Sequence, residues 1–487
     1  MPTPAQPSAR PTAASRFVTS LLFASVLGLG ALAPVPSSAD AAPAPAPAPR
    51  VALAPETYRL ANGLEVVLDE DHRTPIVTVN LWYHVGSKDE PAGRNGFAHL
   101  FEHVMFQGSK HVPEDTYFRN LERAGATSIN GTTNSDRTNY FETVPANRLE
   151  LALWLESDRM AYLLSHADEK TFASQREVVK NERRQNYENA PYGLVSSFIH
   201  EELFPASHPY HLLTIGTPKD LDAASLADVQ GFFRTHYVPN NCTLVLSGDF
   251  EKKKTKELVE KWFGPIPRAK DVPRMRPINT ALDGTKRIEV EAGVELARVY
   301  LAWPTPAFFA DGDRDLDLVA HVLTSGKTSR LYKRLVYDLQ IAQSVTASQS
   351  SMELGSMFEI VATAREGHGA DELLKVIDEE LAKLRAGGVT DPEIARAKTS
   401  FTTDVVFDME RSSSRANRLN TYVHYAGNAD FLGTDLAKTN AATTTTVANA
   451  ARTWLKEKER VIALVTPKTD APIAGRVARV SRTGGGK

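Results

Sequence analysis

The chain has 487 residues, which is too long for one ordinary hydrophobic core, so we expect two or more domains. Hydrophobic residues make up 42% of the chain and charged residues 24%, which is typical of a soluble globular protein. The formal net charge is only -3 and acidic and basic residues are interspersed, which argues against a nucleic-acid-binding protein with a basic face.

Residues 1–41 have the order of regions that is typical of a secretory signal peptide. Two arginines precede an apolar stretch at residues 17–35, and Ala39-Asp40-Ala41 then fits an A-x-A cleavage signal. The alternative is an uncleaved membrane anchor, but glycines and a proline interrupt the apolar stretch, which favours cleavage. No later segment has the roughly 18 continuous apolar residues of a transmembrane helix. We therefore expect an exported, periplasmic chain without a membrane span once mature, and its low cysteine content is compatible with that location.

An alternating Ala/Pro spacer at residues 42–54 leads into a predicted N-terminal domain at residues 55–264. The hydrophobic periodicity of this domain predicts strands, helices and turns in a definite order. In chain order these are strand pieces around an Asn62-Gly63 turn, a strand at 76–87, helices beginning after Gly96 and at Pro113, two short strands at 127–144, helices at 148–164, 168–184 and 225–237, and a strand at 242–250.

A Pro-rich, charged stretch at residues 265–285 is predicted to link this domain to a second one at residues 286–470. The second half repeats the order weakly: strands at 287–293 and 297–306, a helix at 313–337 with a break at Gly326, a hairpin at 344–364, helices at 370–386, 391–407 and 446–457, and a strand at 460–467. We therefore predict an α+β fold of two similar domains, each a mostly antiparallel β-sheet with helices packed on it. Residues 471–487 are predicted to form a tail.

The stretch from Gly96 to Ser109 contains His99, Glu102 and His103 in the spacing H-x-x-E-H. Residues three and four apart share one face of an α-helix, so the two imidazoles could hold one cation with Glu102 beside them. Two imidazoles suit zinc, and a carboxylate that does not bind the metal can take a proton from a metal-bound water. A lone histidine on such a helix is usually an ordinary core or surface residue, whereas three residues at these offsets favour a metal site.

A catalytic zinc normally has three protein ligands, so the sequence must supply one more. The best candidate segment is residues 176–193, which contains Glu177, Glu182 and Glu188. Glu182 lies four residues after Val178, which the pattern places on the buried side of a helix, so Glu182 could reach the histidines. An acidic residue next to arginines is more often on a solvated helix face, so the spacing alone leaves Glu182 undecided.

Five stretches of the chain together resemble the pitrilysin/insulinase family of zinc peptidases, whose metal motif is this inverted H-x-x-E-H. The resemblance covers about residues 55–470 and is strongest to the two-domain branch, which includes the mitochondrial processing peptidase β subunit and bacterial relatives. The matching stretches are GFAHLFEHVMFQGS, NGTTNSDRTNYFETVP, VVKNERRQNYENAPYG, HPYHLLTIGTPKDL and FFRTHYVPNNCTLVLSGDF.

The resemblance implies that His99, His103 and Glu182 bind one Zn²⁺ ion per chain. It also implies that Glu102 is the general base, which takes a proton from the zinc-bound water and returns it to the leaving amine. The predicted function is therefore that of a zinc metalloendopeptidase acting on peptides or small unfolded proteins. The alternatives are a non-catalytic scaffold or core-type subunit of the same fold and an exported peptide-binding protein.

The resemblance further implies residues that assist the metal and the substrate. The family often has a supporting carboxylate seven residues before the distal ligand, where this chain has Gln175, and Glu177 could replace it as a partner of the ligands. The strand around Asn130 resembles the edge strand on which the family binds its peptide substrate, with Gly131 where alanine is usual. An edge strand offers backbone hydrogen bonds to an extended peptide whatever its sequence.

One departure from the family concerns a substrate-holding pair of residues. Active members have an Arg and a Tyr seven residues apart in the domain that faces the zinc-binding half, and there this chain has Val336 and Gln343. Arg330 and Tyr337 are also seven apart but lie one motif too early, so we expect them to pack or cap a helix. We therefore expect a paralogous subunit that supplies the Arg/Tyr pair, or a homodimer, and no nucleic-acid partner.

Overall fold

The computed structural model describes residues 53–114 and 116–483, which are organised around two six-stranded β-sheets. The predicted signal peptide (residues 1–41) and nearly all of the predicted spacer (42–54) lie outside the described residues. Within the described ranges, no helix is both long enough and apolar enough to cross a lipid bilayer.

The first sheet contains β1 (Glu56–Arg59), β2 (Glu65–Glu70), β3 (Ile76–Tyr83), β4 (Thr127–Thr133), β5 (Thr138–Pro145) and β6 (Cys242–Gly248). Its strand order is β1-β2-β6-β3-β5-β4, and only the β2–β6 pair is parallel. Strand β4 therefore lies at one edge of the sheet.

The second sheet contains β7 (Thr285–Ala292), β8 (Arg298–Thr305), β9 (Ala342–Ser350), β10 (Ser356–Ala364), β11 (Val461–Pro467) and β12 (Arg476–Thr483). Its order is β12-β7-β11-β8-β10-β9, again with one parallel pair, β7–β11. Strands β7, β11, β8, β10 and β9 occupy the positions that β2, β6, β3, β5 and β4 have in the first sheet. The predicted α+β fold of two similar, mostly antiparallel halves is thus confirmed.

The first half of the chain contains helices α1 (Phe97–Val104), α2 (Thr116–Arg123), α3 (Leu149–Tyr162), α4 (Glu169–Arg183), α5 (Val195–Leu203), α6 (Pro218–Asp222), α7 (Leu226–His236) and α8 (Lys252–Phe263). The second half contains α9 (Asp313–Thr324), α10 (Ala370–Gly387), α11 (Asp391–Asp408), α12 (Ser412–Ala426), α13 (Leu432–Ala441) and α14 (Thr444–Trp454). Short 3-10 turns occur at Ser87–Asp89, Ala146–Arg148, Leu163–Ser165 and Pro239–Asn241, and π-helical segments at Arg184–Glu188 and Tyr332–Asp338. The sequence did not predict α5, α6, α8, α12 or α13.

Two of these unpredicted helices are exchanged between the halves. Helix α5 belongs to the first half of the chain, but Val195, Ile199 and Leu203 pack in a core with the strands of the second sheet. Helix α12 belongs to the second half, but Leu419 and Val423 pack with apolar residues of β2 and β6 in the first sheet. The halves predicted at residues 55–264 and 286–470 therefore share their cores, because each sheet is covered on one face by a helix from the other half.

Polar contacts also hold α12 on the first sheet. Arg415, whose side chain is buried, donates to Asp69 Oδ2 at 2.8 Å and lies 2.6 Å from Asp71 Oδ2. His424 Nδ1 lies 2.7 Å from Nδ1 of His84, which directly follows β3. Burial holds the pKa of both histidines well below the usual range. The neutral pair can therefore share one hydrogen bond without placing a charge between the halves.

The predicted tail at residues 471–487 is wrong for residues 476–483, which form β12. This strand pairs with β7 through its backbone at the edge of the second sheet, and nearly all of its side chains are exposed. Because β12 buries no apolar face, its residues do not show the pattern of apolar and polar positions from which a strand is predicted. Residues 484–487 lie outside the described residues.

The buried ion pairs of Arg415 provide a test of the helix exchange. Replacing Arg415 with Met leaves Asp69 and Asp71 without a cationic partner from α12, so we expect the free energy of unfolding in urea to fall by about 3–5 kcal/mol. Arg418→Met, on the same helix, removes a more exposed pair with Asp408 and is expected to change it by less than about 1 kcal/mol. Equal effects of the two substitutions would contradict the role assigned to Arg415.

Candidate metal centre

Helix α1 carries the H-x-x-E-H motif, and its other side chains anchor it in the protein. Phe97, Leu100, Phe101 and Val104 are buried in the core below the first sheet. The helix also packs against α4. The apolar residues thus fix the helix, and the two histidines remain free to approach α4.

The start of α1 is held by a carboxylate and by a close backbone contact. Glu90 accepts hydrogen bonds from the N–H groups of Gly96 (3.0 Å) and Ala98 (2.8 Å), which would otherwise lack helical partners. Gly96 has a φ angle of 97°, and a Cβ atom there would lie 2.7 Å from the Cα atom of Gly216. Only glycine fits both the backbone conformation and the packing.

Helix α4 supplies Glu182 one residue before its end. The N-terminus of α4 is capped by Asp168, which accepts a hydrogen bond from the Thr171 N–H group at 2.7 Å. Directly after the helix, the chain widens into the π-helical segment Arg184–Glu188, a feature often found at functional sites. Asn186 in this segment donates to Glu182 Oε1 at 3.4 Å, which leaves Oε2 toward the histidines.

The structure brings His99, His103 and Glu182 together. The Nε2 atoms of the two histidines lie 3.3 Å apart, and Glu182 Oε2 lies 3.6 Å from His99 Nε2 and 3.3 Å from His103 Nε2. Ligands placed tetrahedrally at about 2.0–2.1 Å from zinc are about 3.3–3.4 Å from one another. The three side chains therefore fit one zinc ion, with a fourth position left for a water molecule or substrate.

The protonation of the site also suits a cation. Burial, assisted by the neighbouring His103, lowers the pKa of His99 to about 4, so its imidazole is neutral near pH 7. The hydrogen bond from His103 lowers the pKa of Glu182, so this carboxyl is ionised. A neutral imidazole and a carboxylate are the forms that bind metal ions. Among the described residues, His99 Nδ1 is buried and has no hydrogen-bond partner.

Glu102 lies on the same helix and is 8% exposed. Thr133 Oγ1 donates a hydrogen bond to Glu102 Oε2 at 2.6 Å. Burial raises the pKa of Glu102 and outweighs the opposing effect of the Thr133 hydrogen bond. A carboxylate whose pKa is moved toward neutrality is suited to accept and return a proton. The sequence analysis missed Thr133, although its place two residues after Gly131 on a predicted strand puts both on one face.

Asn130 and Gly131, the predicted substrate-binding residues, lie on β4. Asn130 is exposed, and its Oδ1 atom accepts a hydrogen bond from the Gly131 N–H group at 2.9 Å. Within the described residues, β4 pairs only with β5 in the sheet, so its other side is an open edge. The placement agrees with the expected edge strand, while the role of these two residues in substrate binding stays a prediction.

The prediction that Glu177 supports the metal ligands is wrong. Its side chain is 54% exposed and binds Lys180, on the next turn of α4, at 3.0 Å. Glu177 therefore points to solvent, on a different side of the helix from Glu182. Val178 is also not on a buried face as expected, since it is 41% exposed. Val179 is the buried residue of this turn, and the Glu182 side chain is half-buried rather than part of the core.

The second half does not present an Arg/Tyr pair at residues 330 and 337. Arg330 Nε and Nη2 bind the two carboxylate oxygens of Glu393, each at 2.7 Å, and Nη2 also donates to the Gly388 carbonyl. Arg330 thus holds the start of α11, as expected for a packing residue. Tyr337 is 72% exposed, and Gln343 is exposed at the start of β9.

Known protein families match both halves of the chain. The model of the insulinase family (peptidase family M16) matches residues 65–214, which include all four metal-centre residues, and the model described as the peptidase M16 inactive domain matches residues 223–401. The zinc protease PqqE of Helicobacter pylori is 30% identical over 372 residues, which are 76% of this chain and 83% of that protein.

Two further matches extend over most of the chain. A probable mitochondrial-processing peptidase subunit beta of Arabidopsis thaliana is 23% identical over 86% of this chain and 80% of that protein. The crystal structure of a protease from Helicobacter pylori superposes with a TM-score of 0.81 at 27% identity, covering 86% of this chain and 100% of that one. These matches confirm the resemblance seen in the sequence motifs, and the chain belongs to the insulinase family of peptidases, M16.

Proposed function

We propose that this chain is a zinc metalloendopeptidase that hydrolyses peptides or small unfolded proteins. The observation that carries the proposal is the approach of His99, His103 and Glu182 to within 3.3–3.6 Å of one another, with Glu102 on the same helix as the two histidines. The names of the relatives as zinc proteases support the choice of metal.

The chemistry follows from the residues around the ligands. A zinc ion held by the two imidazoles and the Glu182 carboxylate would lower the pKa of a water molecule and polarise a peptide carbonyl. Glu102 would accept a proton from the water as its oxygen bonds to the carbonyl carbon, and would deliver that proton to the leaving amine as the C–N bond breaks. Its low exposure and raised pKa favour this transfer in both directions.

Strand β4 supports the proposed substrate class. Its open edge can pair with an extended peptide through backbone hydrogen bonds, which do not depend on the peptide sequence. A folded protein cannot offer such a strand unless a segment of it is already extended. The exposed Asn130 lies on this strand next to Gly131, and both would lie along the bound peptide.

We also propose that the active enzyme needs a second chain. The positions of the family's Arg/Tyr pair hold Val336 and Gln343, and Arg330 is already bound to Glu393. A paralogous subunit that carries the pair would complete the site and stabilise the oxyanion at the scissile carbonyl. Self-association is the alternative source of the missing groups.

A non-catalytic role is the second candidate function, because residues 223–401 match a model described as an inactive domain. A scaffold or peptide-binding protein would have no use for a proton-transferring carboxylate at a metal site. The Glu102 substitution below separates the candidates.

Glu102→Gln is expected to lower kcat for quenched peptide substrates by at least about 100-fold, since the amide cannot accept the proton. The variant should keep one zinc ion per chain and its affinity for peptides, because Glu102 is not a ligand. Hydrolysis is measured together with zinc content in the presence of the partner chain.

Two matched variants serve as controls. Glu177→Gln makes the same chemical change at an exposed residue of α4 and should leave both kcat and zinc content unchanged. Glu182→Gln should reduce zinc content as well as activity. Zinc binding without hydrolysis in the unsubstituted protein, with and without its partner, would favour the binding or scaffold function.

If the active site is divided between this chain and a second chain that carries the Arg/Tyr pair, the purified mature chain should be weakly active alone. Adding a paralogous subunit with the Arg/Tyr pair should raise kcat by about 100- to 1000-fold, the usual effect of restoring an oxyanion-binding group. A paralogue with Ala and Phe in place of that pair should bind but not activate. Full activity of this chain as a monomer would refute the proposal that a second chain completes the active site.

We propose that the chain acts in the periplasm after cleavage at Ala39-Asp40-Ala41. Expression of the full chain should yield a periplasmic protein whose N-terminal sequence begins after residue 41. Replacing Ala39 and Ala41 with Leu should block cleavage and retain the protein at the membrane. An uncleaved N-terminus on the unsubstituted chain would contradict the proposal.

A further inference from the structure

Thr133 connects the open-edge strand β4 to the catalytic carboxylate. Its Oγ1 atom lies 2.6 Å from Glu102 Oε2 and 3.2 Å from Thr138 Oγ1 on β5. Thr138 Oγ1 donates its own proton to the Val85 carbonyl at 3.0 Å. The Thr138 hydroxyl can therefore only accept a hydrogen bond from Thr133.

The single proton of the Thr133 hydroxyl has two possible acceptors. While Glu102 is ionised, the shorter contact and the charge direct this proton to Glu102 Oε2. After Glu102 has taken up a proton on Oε1, the Thr133 hydroxyl can still donate to Oε2. Thr133 thus keeps a hydrogen bond to the same carboxylate oxygen before and after proton transfer, and Oε1 is left to exchange the proton.

Gly131 holds the stem of the same side chain. A Cβ atom on Gly131 would lie 3.1 Å from Glu102 Cγ and 3.0 Å from Phe106 Cε2, so the β4 backbone packs closely on Glu102. Gly131 and Thr133 are two residues apart and face the same side of the strand. One strand therefore contacts Glu102 at its stem and at its carboxylate.

We propose that Thr133 is a positioning residue that orients the Glu102 carboxylate for proton transfer and couples its orientation to the strand that binds the substrate. A peptide paired with the open edge of β4 is positioned by the same strand that carries Thr133. The strand therefore fixes both the scissile bond and Glu102, the general base, relative to each other. The proposal rests on the peptidase function proposed above. The competing explanation is that Thr133 only stabilises the β4–β5 hairpin through Thr138.

Three variants separate these explanations. Thr133→Val removes the hydroxyl and keeps a β-branched side chain, whereas Thr133→Ser keeps the hydroxyl. Thr132→Val makes the same change at the adjacent residue, whose hydroxyl binds Asn139 and Arg137 instead of Glu102. For each variant kcat, KM, zinc content and the melting temperature are measured.

We expect Thr133→Val to lower kcat by about 10- to 100-fold, as for loss of a hydrogen bond to a charged group. KM should change by less than about threefold and zinc should stay at one ion per chain, because neither depends on the Glu102 orientation. Thr133→Ser should recover most of kcat, and Thr132→Val should resemble the unsubstituted enzyme. An unchanged kcat in Thr133→Val, or an equal loss in Thr132→Val, would overturn the proposal.

A structural measurement tests the positioning role without relying on activity. High-resolution crystal structures should show one conformer of the Glu102 carboxylate in the unsubstituted protein and in Thr133→Ser, and several in Thr133→Val. A single, unmoved conformer in Thr133→Val would overturn the proposal even if kcat falls. If the unsubstituted protein binds zinc but hydrolyses nothing, the proposed function fails, while these structures still decide whether Thr133 orients Glu102.

Discussion

The contact between α1 and α4 is the constraint on which the candidate metal centre depends. It places an ionised carboxylate 3.3–3.6 Å from two imidazole nitrogens, a spacing that a tetrahedral cation requires. The contact is maintained from outside the site: apolar residues anchor α1 in the core, Glu90 holds its N-terminus, and Asp168 caps α4. The ligands can therefore be polar and partly exposed without weakening the helices that carry them.

The two halves of the chain depend on each other through the exchanged helices. The central strands of the first sheet are buried on both faces, as strand β6 shows along its whole length, so the sheet requires a helical layer on each side. Helix α12 provides one of these layers from the second half, and α5 provides the equivalent layer on the second sheet. The buried Arg415 ion pairs and the His84–His424 contact give the packing a unique position, because they can form in only one alignment.

The two halves of the chain have the same sheet architecture but differ in the residues placed along it. Both sheets have equivalent strand orders with an edge strand at the same end, β4 in one and β9 in the other. Within the described part of the chain, only the first half combines this edge with a cluster of potential metal ligands, and Thr133 links β4 to the helix α1 that carries two of them. In the second half, Arg330 binds Glu393 at the start of α11 and serves packing instead. The resulting asymmetry is the physical basis for expecting a complementary chain.

The amino-acid sequence by itself determined the parts of this protein that depend on local periodicity. The H-x-x-E-H spacing places its three residues on one helix turn, and alternating or periodic apolar residues predicted most strands and helices. Only the tertiary structure decided that Glu182, about eighty positions away along the chain, reaches the histidines and that Glu177 does not. It also decided the positions of α5, α12 and β12. The local sequence of a helix does not indicate which distant sheet it covers, and a strand held by backbone hydrogen bonds alone has no side-chain pattern that indicates its neighbour.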